Sequence, residues 1–246
     1  MFVLDLDGVV YSGDEVLPGA GETLRFLDRA GHRIVFCTNN SSRTRGDIGK
    51  KISRLTGFEA SESQVLNSAE AAAMLIGPTD ARTLIVGGLG VHEALVPLGI
   101  RETPEGVLPD LVVVGLDVDL SYDKLAIATL ALREGARFVA TNRDVTFPTP
   151  RGEMPGAGSI VALLETASGR EAECAGKPHR PMRDLIRSRA EGSPITVVGD
   201  RPETDLEMAY AEGWRSVLVL TGVAKEAEGS RADLVIPTIG DLIYSL

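Results

Sequence analysis

Met1-Phe2-Val3-Leu4-Asp5-Leu6-Asp7-Gly8-Val9 opens the chain. A short apolar run enters an Asp-x-Asp-Gly, and the fold reads outward from that junction. Runs of this kind are buried strands, and the acids and glycine mark where this one stops. In extended chain, residues two apart point to the same side, so Asp5 and Asp7 share a face. Alone, Asp-x-Asp-Gly is also a common turn sequence. At the end of an apolar strand it is much more specific.

The same pattern repeats along the chain. Residues 33–37 precede Thr38-Asn39-Asn40, 83–86 precede Gly87-Gly88, and 110–114 precede Gly115. Residues 136–140 lead into Thr141-Asn142, 194–198 into Gly199-Asp200, and 216–220 into Thr221-Gly222; 233–236 close the series. Short β-branched runs read as buried parallel strands. Between them, residues 20–29, 122–133, 159–167 and 181–190 carry apolar residues at helical spacing. Strand alternating with helix predicts an α/β fold with a mostly parallel sheet. A strand ending in Thr-Asn occurs twice, at Thr38-Asn39 and Thr141-Asn142. This echo is either a second α/β domain or coincidence.

Composition bounds the function. The chain has 246 residues, 43% hydrophobic and only 4% aromatic, so its core is built from Val, Leu, Ile and Ala. A formal net charge of −10 argues against a nucleic-acid partner, which requires a basic surface. It leaves room for a small phosphate ester held by a local pocket and a metal ion. Two cysteines imply no disulfide framework, and Cys37, inside an apolar strand, reads as core. No stretch is apolar enough to span a bilayer. The first residues lack the charged region of a signal peptide, so a cytoplasmic location is expected.

In open α/β sheets, sites form where strands end at their carboxyl side. Asp5, Asp7 and Gly8 follow the first strand, Thr38, Asn39 and Asn40 the second, and Asp200 and Asp205 a late one. Lys177 lies in Ala-Gly-Lys-Pro ahead of a helix. Carboxylates, a hydroxyl, amides and one ammonium suit phosphoryl transfer. A carboxylate attacks phosphorus to form an aspartyl-phosphate, and Mg²⁺ on hard oxygen ligands offsets the accumulating negative charge. Asp7 is placed to protonate the leaving oxygen and later to accept a proton from water. Taken singly, each motif has a structural reading: a turn, a helix N-cap at residues 38–42, a solvated lysine, a helix-surface acid.

Together these strings resemble the haloacid dehalogenase superfamily. Asp5-Leu6-Asp7-Gly8-Val9, Thr38-Asn39-Asn40, Gly176-Lys177-Pro178 and Gly199-Asp200-Arg201-Pro202-Glu203-Thr204-Asp205 look like its four signature motifs. Leu17-Pro18-Gly19-Ala20, residues 37–42, Ala140-Thr141-Asn142-Arg143-Asp144, Pro155-Gly156-Ala157-Gly158-Ser159 and Val219-Leu220-Thr221-Gly222 bring it closer to the NagD-like, or para-nitrophenyl phosphatase, subfamily (class IIA). The resemblance implies a Rossmann-like core with a parallel sheet, at residues 1–66 and 177–246. A large α/β cap is inserted at 67–176. It makes Asp5 the nucleophile and Asp7 the general acid/base. Thr38, Asn39 and Lys177 hold the phosphoryl group. Asp5, the main-chain carbonyl of Asp7, and Asp200 bind Mg²⁺, and Asp205 supports that site from behind. Dehalogenases of the superfamily lack an acid at the position of Asp7, so dehalogenation is disfavoured.

Substrate choice is expected in the cap, whose closure would keep water from the phosphoenzyme. Asn142 and Asp144, at the end of a cap strand, and Met154, in what looks like the loop facing the site in relatives, are the candidates for touching substrate. His179 reads as a surface residue. The expected partner is a small phosphorylated metabolite, with neither nucleic acid nor membrane, and with a cap-mediated homodimer by analogy to relatives. Two rival readings are a non-catalytic phosphometabolite-binding protein and a phosphotransferase.

Overall fold

A computed structural model of the chain describes residues 1–104, 106–149, 151–227 and 229–245. The chain folds into two compact units, one of 1–38, 45–66 and 183–246, the other of 39–44 and 67–182.

The first unit is a six-stranded sheet. Its order runs Leu234–Ile236, Arg215–Val219, Thr196–Gly199, Phe2–Leu4, Ile34–Thr38, Val65–Asn67. The pairings of Phe2–Leu4 with both its neighbours are parallel, as are those of the two outer late strands. Phe2–Leu4 and Ile34–Thr38 are buried along their whole length, the signature of a parallel sheet covered on both faces. Helix Ala20–Arg29 shows why the flanking segments are helical. Its buried residues Ala20, Thr23, Leu24 and Leu27 recur at i, i+3, i+4 and i+7, which makes one stripe. The Thr23 hydroxyl in that stripe donates to the Ile239 carbonyl at 3.1 Å, so its burial leaves no stranded polar atom. Leu4, Leu6, Leu24, Leu27, Phe36 and Ile52 are the fully buried centre of this core.

The second unit has its own five-stranded sheet, in the order Glu173–Cys174, Arg137–Ala140, Leu111–Val114, Arg82–Val86, Arg101–Glu102, parallel throughout. Helices Tyr122–Arg133 and Ala157–Ser168 pack Ala128, Leu132, Ile160, Val161 and Leu164 against Val112, Val114 and Phe138. Ser121 caps the first of these helices by accepting the Lys124 N–H at 3.2 Å. The Thr-Asn echo therefore marks a second α/β unit.

Three features depart from what the sequence predicts. Val65–Asn67 is a strand too short for a periodicity to reveal. Residues 153–156, expected as loop, lie largely in the strand Gly152–Pro155, which pairs antiparallel with Thr146–Thr149. Pro155 is tolerated because a two-stranded ribbon has an open edge, where its missing N–H costs no ladder bond. Segments 39–44 and 177–182, assigned by sequence to the core, fold with the second unit. The bonds that hold them there include Ser41 Oγ to Thr141 Oγ1 at 2.9 Å and Met182 N–H to the Ala175 carbonyl at 3.1 Å. Cys37 is buried, as its apolar setting predicts. Among the described residues no helix is long and apolar enough to cross a membrane.

Two outcomes follow from this packing. Phe36 is fully buried and meets Phe58 edge-on at 6.2 Å. Phe36→Ala should lower unfolding free energy by about 3–5 kcal/mol in a denaturant titration. Burial pushes the Cys174 thiol up to about 11. Because the thiolate is the reactive form and an ordinary thiol titrates near 8.5, Cys174 at pH 7.5 should alkylate roughly 300-fold more slowly than a free thiol. Its rate should keep rising to about pH 11, as followed by iodoacetamide labelling and mass spectrometry.

Candidate active site

Phe2–Leu4 sits at the centre of the first sheet, with Leu4 level with Val198 on one side and Phe36 on the other. Strands from the end of the chain lie on one flank and strands from its beginning on the other. The winding reverses there, and such a switch point opens a crevice at the carboxyl ends of the strands. Of the three strands at that point, Ile34–Thr38 ends in Thr38, and Phe2–Leu4 and Thr196–Gly199 are followed directly by Asp5 and Asp200. The Asp5 N–H donates to the Val198 carbonyl at 2.9 Å, extending the ladder one residue past the strand and fixing the Asp5 main chain. Asp7 is partly buried and forms an isolated bridge with Tyr11.

Asp5, Asp200 and Asp205 each offer a carboxylate oxygen, and these oxygens lie within 4.8 Å of one another. All three residues are buried, with exposures of 8%, 1% and 1%. Asp205 reaches the cluster from a single wide π-turn, Pro202–Leu206, a geometry that recurs at functional sites. Its Oδ2 accepts the Arg201 N–H at 3.2 Å. Gly199 leaves open the space the Asp205 side chain occupies; a Cβ there would overlap it.

Asp200 is held by the loop after Arg215–Val219, to which the sequence assigned no role. The Val223 N–H donates to Asp200 Oδ2 at 2.6 Å, and the Ala224 N–H to the Asp200 carbonyl at 3.1 Å. Two glycines make the room. Gly8 has φ +87°, and a Cβ on it would lie 2.5 Å from Asp200 Oδ2. A Cβ on Gly222 would overlap the same carboxylate. The Thr221 hydroxyl donates to the Gly8 carbonyl at 2.6 Å and clasps the two turns together. The signal for this loop was a Thr-Gly ending an apolar strand.

Crowded carboxylates repel one another, and hard oxygen donors at this spacing suit a divalent cation of the magnesium type. The donor set therefore fits the ion expected from sequence.

The remaining predicted residues divide between the units. Thr38 is the buried last residue of Ile34–Thr38 in the first. Asn39, Asn142, Asp144 and Lys177 are gathered in the second. Asn39 Oδ1 accepts the Lys177 N–H at 2.8 Å, and its Nδ2 donates to the Lys177 carbonyl at 3.2 Å and to Asp144 Oδ1 at 3.1 Å. Asn142 Nδ2 donates to the Asn39 carbonyl at 2.8 Å. The side chain of Asn39 is thus committed to protein partners, which sequence alone did not reveal. Met154 lies in the hairpin, opposite Phe147. His179 is half-buried, with Nδ1 3.1 Å from the Gly176 carbonyl oxygen.

Comparison with known proteins places this arrangement in a family. A family model described as haloacid dehalogenase-like hydrolase matches residues 2–101, and one described as HAD-hydrolase-like matches 174–242. A D-glycerol 3-phosphate phosphatase of Mycobacterium tuberculosis is 40% identical over 90% of this chain, which spans 63% of that relative's length. A 5'-nucleotidase of Bacillus subtilis is 36% identical over 96% of this chain and 93% of its own. Among solved structures, a 4-nitrophenylphosphatase from Thermotoga maritima superposes with TM-score 0.89 at 35% identity, covering 99% of this chain and 95% of that one. A glycerol phosphate phosphatase from M. tuberculosis in complex with magnesium gives TM-score 0.88 at 37% identity, covering 98% and 75%.

Gly222→Ala should displace the Asp200 carboxylate or the turn at Thr221–Val223. At least about tenfold weaker Mg²⁺ binding is expected by calorimetry, with an unchanged circular dichroism spectrum.

Proposed function

The chain belongs to the haloacid dehalogenase-like hydrolases, in their NagD-like branch, and we propose that it is a magnesium-dependent phosphatase acting on small phosphomonoesters through an aspartyl-phosphate on Asp5. The observation that carries the reading is the buried carboxylate cluster at the switch point of the first sheet, with Asp5 on its central strand.

In the first half-reaction an Asp5 oxygen attacks phosphorus. The bond from phosphorus to the leaving oxygen breaks as the new one forms, and Asp7 transfers its proton to that oxygen. In the second, water attacks the phosphorus of the acyl phosphate and Asp7 takes its proton. The bond to Asp5 breaks, inorganic phosphate departs and the carboxylate is restored. Asp5, the Asp7 carbonyl and Asp200 would hold Mg²⁺, with Asp205 behind them. When bound, the ion supplies positive charge that offsets the approach of an anionic nucleophile to an anionic phosphate. Thr38, the last residue of the adjacent strand, would donate to a phosphoryl oxygen. The phosphate-holding part given to Lys177 rests on its motif, and that given to Asn39 falls to its main-chain N–H, because its side chain is occupied.

Relatives of similar identity are named for glycerol 3-phosphate, for nucleotides and for 4-nitrophenyl phosphate. The substrate class is accordingly the small phosphomonoester, with Asn142, Asp144 and Met154 as candidates for its selection.

Release of inorganic phosphate from 4-nitrophenyl phosphate should require Mg²⁺ and fall to background in Asp5→Asn; turnover retained in that variant would remove the nucleophile assignment. In single-turnover measurements of the first half-reaction, Asp7→Asn should slow release of an alkyl alcohol more than release of nitrophenolate, because a nitrophenolate leaves without being protonated. Equal slowing of both would remove Asp7 as the general acid.

A further inference from the structure

Asn39 makes more bonds than a phosphate-loop residue needs. Its carboxamide oxygen takes the Lys177 N–H, and its two amide hydrogens go to the Lys177 carbonyl and to Asp144 Oδ1. Its own carbonyl accepts both Asn142 Nδ2 at 2.8 Å and Ser68 Oγ at 2.6 Å. One 7%-exposed residue thereby joins four others, from 29 to 138 positions away in sequence, all within the second unit.

The side-chain type is specific to the task. Bridging both the N–H and the C=O of one residue requires an acceptor and a donor on the same short planar group, which an amide provides and a carboxylate does not. Aspartate would set an oxygen against the Lys177 carbonyl and a like charge against Asp144. Serine would not reach. The surroundings are cut to fit: a Cβ on Gly176 would lie 2.5 Å from Asn39 Oδ1 and 2.6 Å from the Thr141 carbonyl, so the residue before Lys177 must be glycine for the bridge to form.

We propose that Asn39 is a positioning residue that fixes the main chain at Lys177 and ties it to Asp144, so that phosphate affinity and the placement of the substrate-selecting loop depend on one side chain. The consequence for phosphate rests on the phosphatase reading above; the fixing of Lys177 does not. Lys177 is itself 5% exposed, so a displaced main chain there shifts a buried side chain with little room to readjust.

The test uses the full chain with Asn39→Asp, which preserves shape, and Asn39→Ser, which removes reach without adding charge and serves if the first fails to fold. Hydrogen exchange read by mass spectrometry across residues 175–182 should be at least about tenfold faster in either variant than in wild type, the expected effect of losing a buried bonded pair. The KM for 4-nitrophenyl phosphate and the inhibition constant of inorganic phosphate should both rise about tenfold while the Mg²⁺ requirement stays as in wild type. Adding Asp144→Asn to Asn39→Asp should recover part of the phosphate affinity by removing the like-charge contact. Unchanged exchange across 175–182 would overturn the inference, whether or not the protein proves to be a phosphatase. A lowered melting temperature with unchanged phosphate affinity, and no recovery in the double variant, would reduce Asn39 to a structural residue and equally overturn it. Wild-type protein that neither hydrolyses nor binds phosphate would instead refute the functional reading and leave exchange to decide the role of Asn39.

Discussion

The rest of the first unit is organised around keeping Asp5, Asp200 and Asp205 within 4.8 Å of one another. At that separation and an effective dielectric near 20, each like-charged pair repels by roughly 3.5 kcal/mol. The fold opposes this with main-chain geometry. Asp5 is locked by a ladder bond to Val198, Asp200 accepts the Val223 N–H, and Asp205 accepts the Arg201 N–H. None of these anchors comes from a long mobile side chain, so the carboxylates cannot relax apart cheaply. A cluster held this way is preorganised for a divalent cation, and the space it needs is made by glycines at 8, 199 and 222.

How much of this was legible in the sequence depended on where the determining interactions lie. Phe2–Leu4 and Ile34–Thr38 were readable because continuous apolar runs survive only when both faces are covered. Helix Ala20–Arg29 carries a stripe along most of its length and Tyr122–Arg133 one from Leu125 to Leu132, and the bounds of both match the expectation. Val65–Asn67 has three residues and no period to detect. The hairpin ending at Pro155 contradicts simple strand propensity and is set by pairing with Thr146–Thr149. The acids of the cluster were legible because each ends a strand or follows one closely. The bond from Asn39 to Lys177 was not, since it spans 138 residues and nothing local to either residue announces it. The loop holding Asp200 falls between these cases: its Thr-Gly was visible, but the 23-residue reach from Asp200 to Val223 was not.

The two parallel sheets place polar residues at their carboxyl ends by the same rule, yet they collect different chemistry. The first gathers three acids. The second unit gathers Asn39, Thr141 and Asn142, which are neutral, with Asp144 and Lys177 of opposite sign, although Asn39 follows a strand of the first sheet. Buried neutral groups need only hydrogen-bond partners, whereas a buried cluster of one sign needs a counter-charge. On the proposed function, the metal would be held by the acids of the first unit, and the neutral network of the second would serve hydrogen-bond recognition.

This division accounts for relatives at 35–40% identity that share a family but carry different substrate names. On the proposed function, replacing an acid of the cluster removes a ligand and a negative charge that the cation requires, and no neutral side chain restores that charge. A neutral network tolerates exchange so long as donors and acceptors stay matched, which many combinations of amide and hydroxyl achieve. If Asn142 and Asp144 face the substrate as proposed, a change of phosphomonoester would act on them without touching Asp5 or Asp200. Asn39 is the point where that freedom narrows, since its bonds reach Asp144 and the main chain of Lys177 at once. Any substitution there alters both the loop that would choose the substrate and the lysine whose motif marks it for phosphate, and the amide is the side chain that satisfies both.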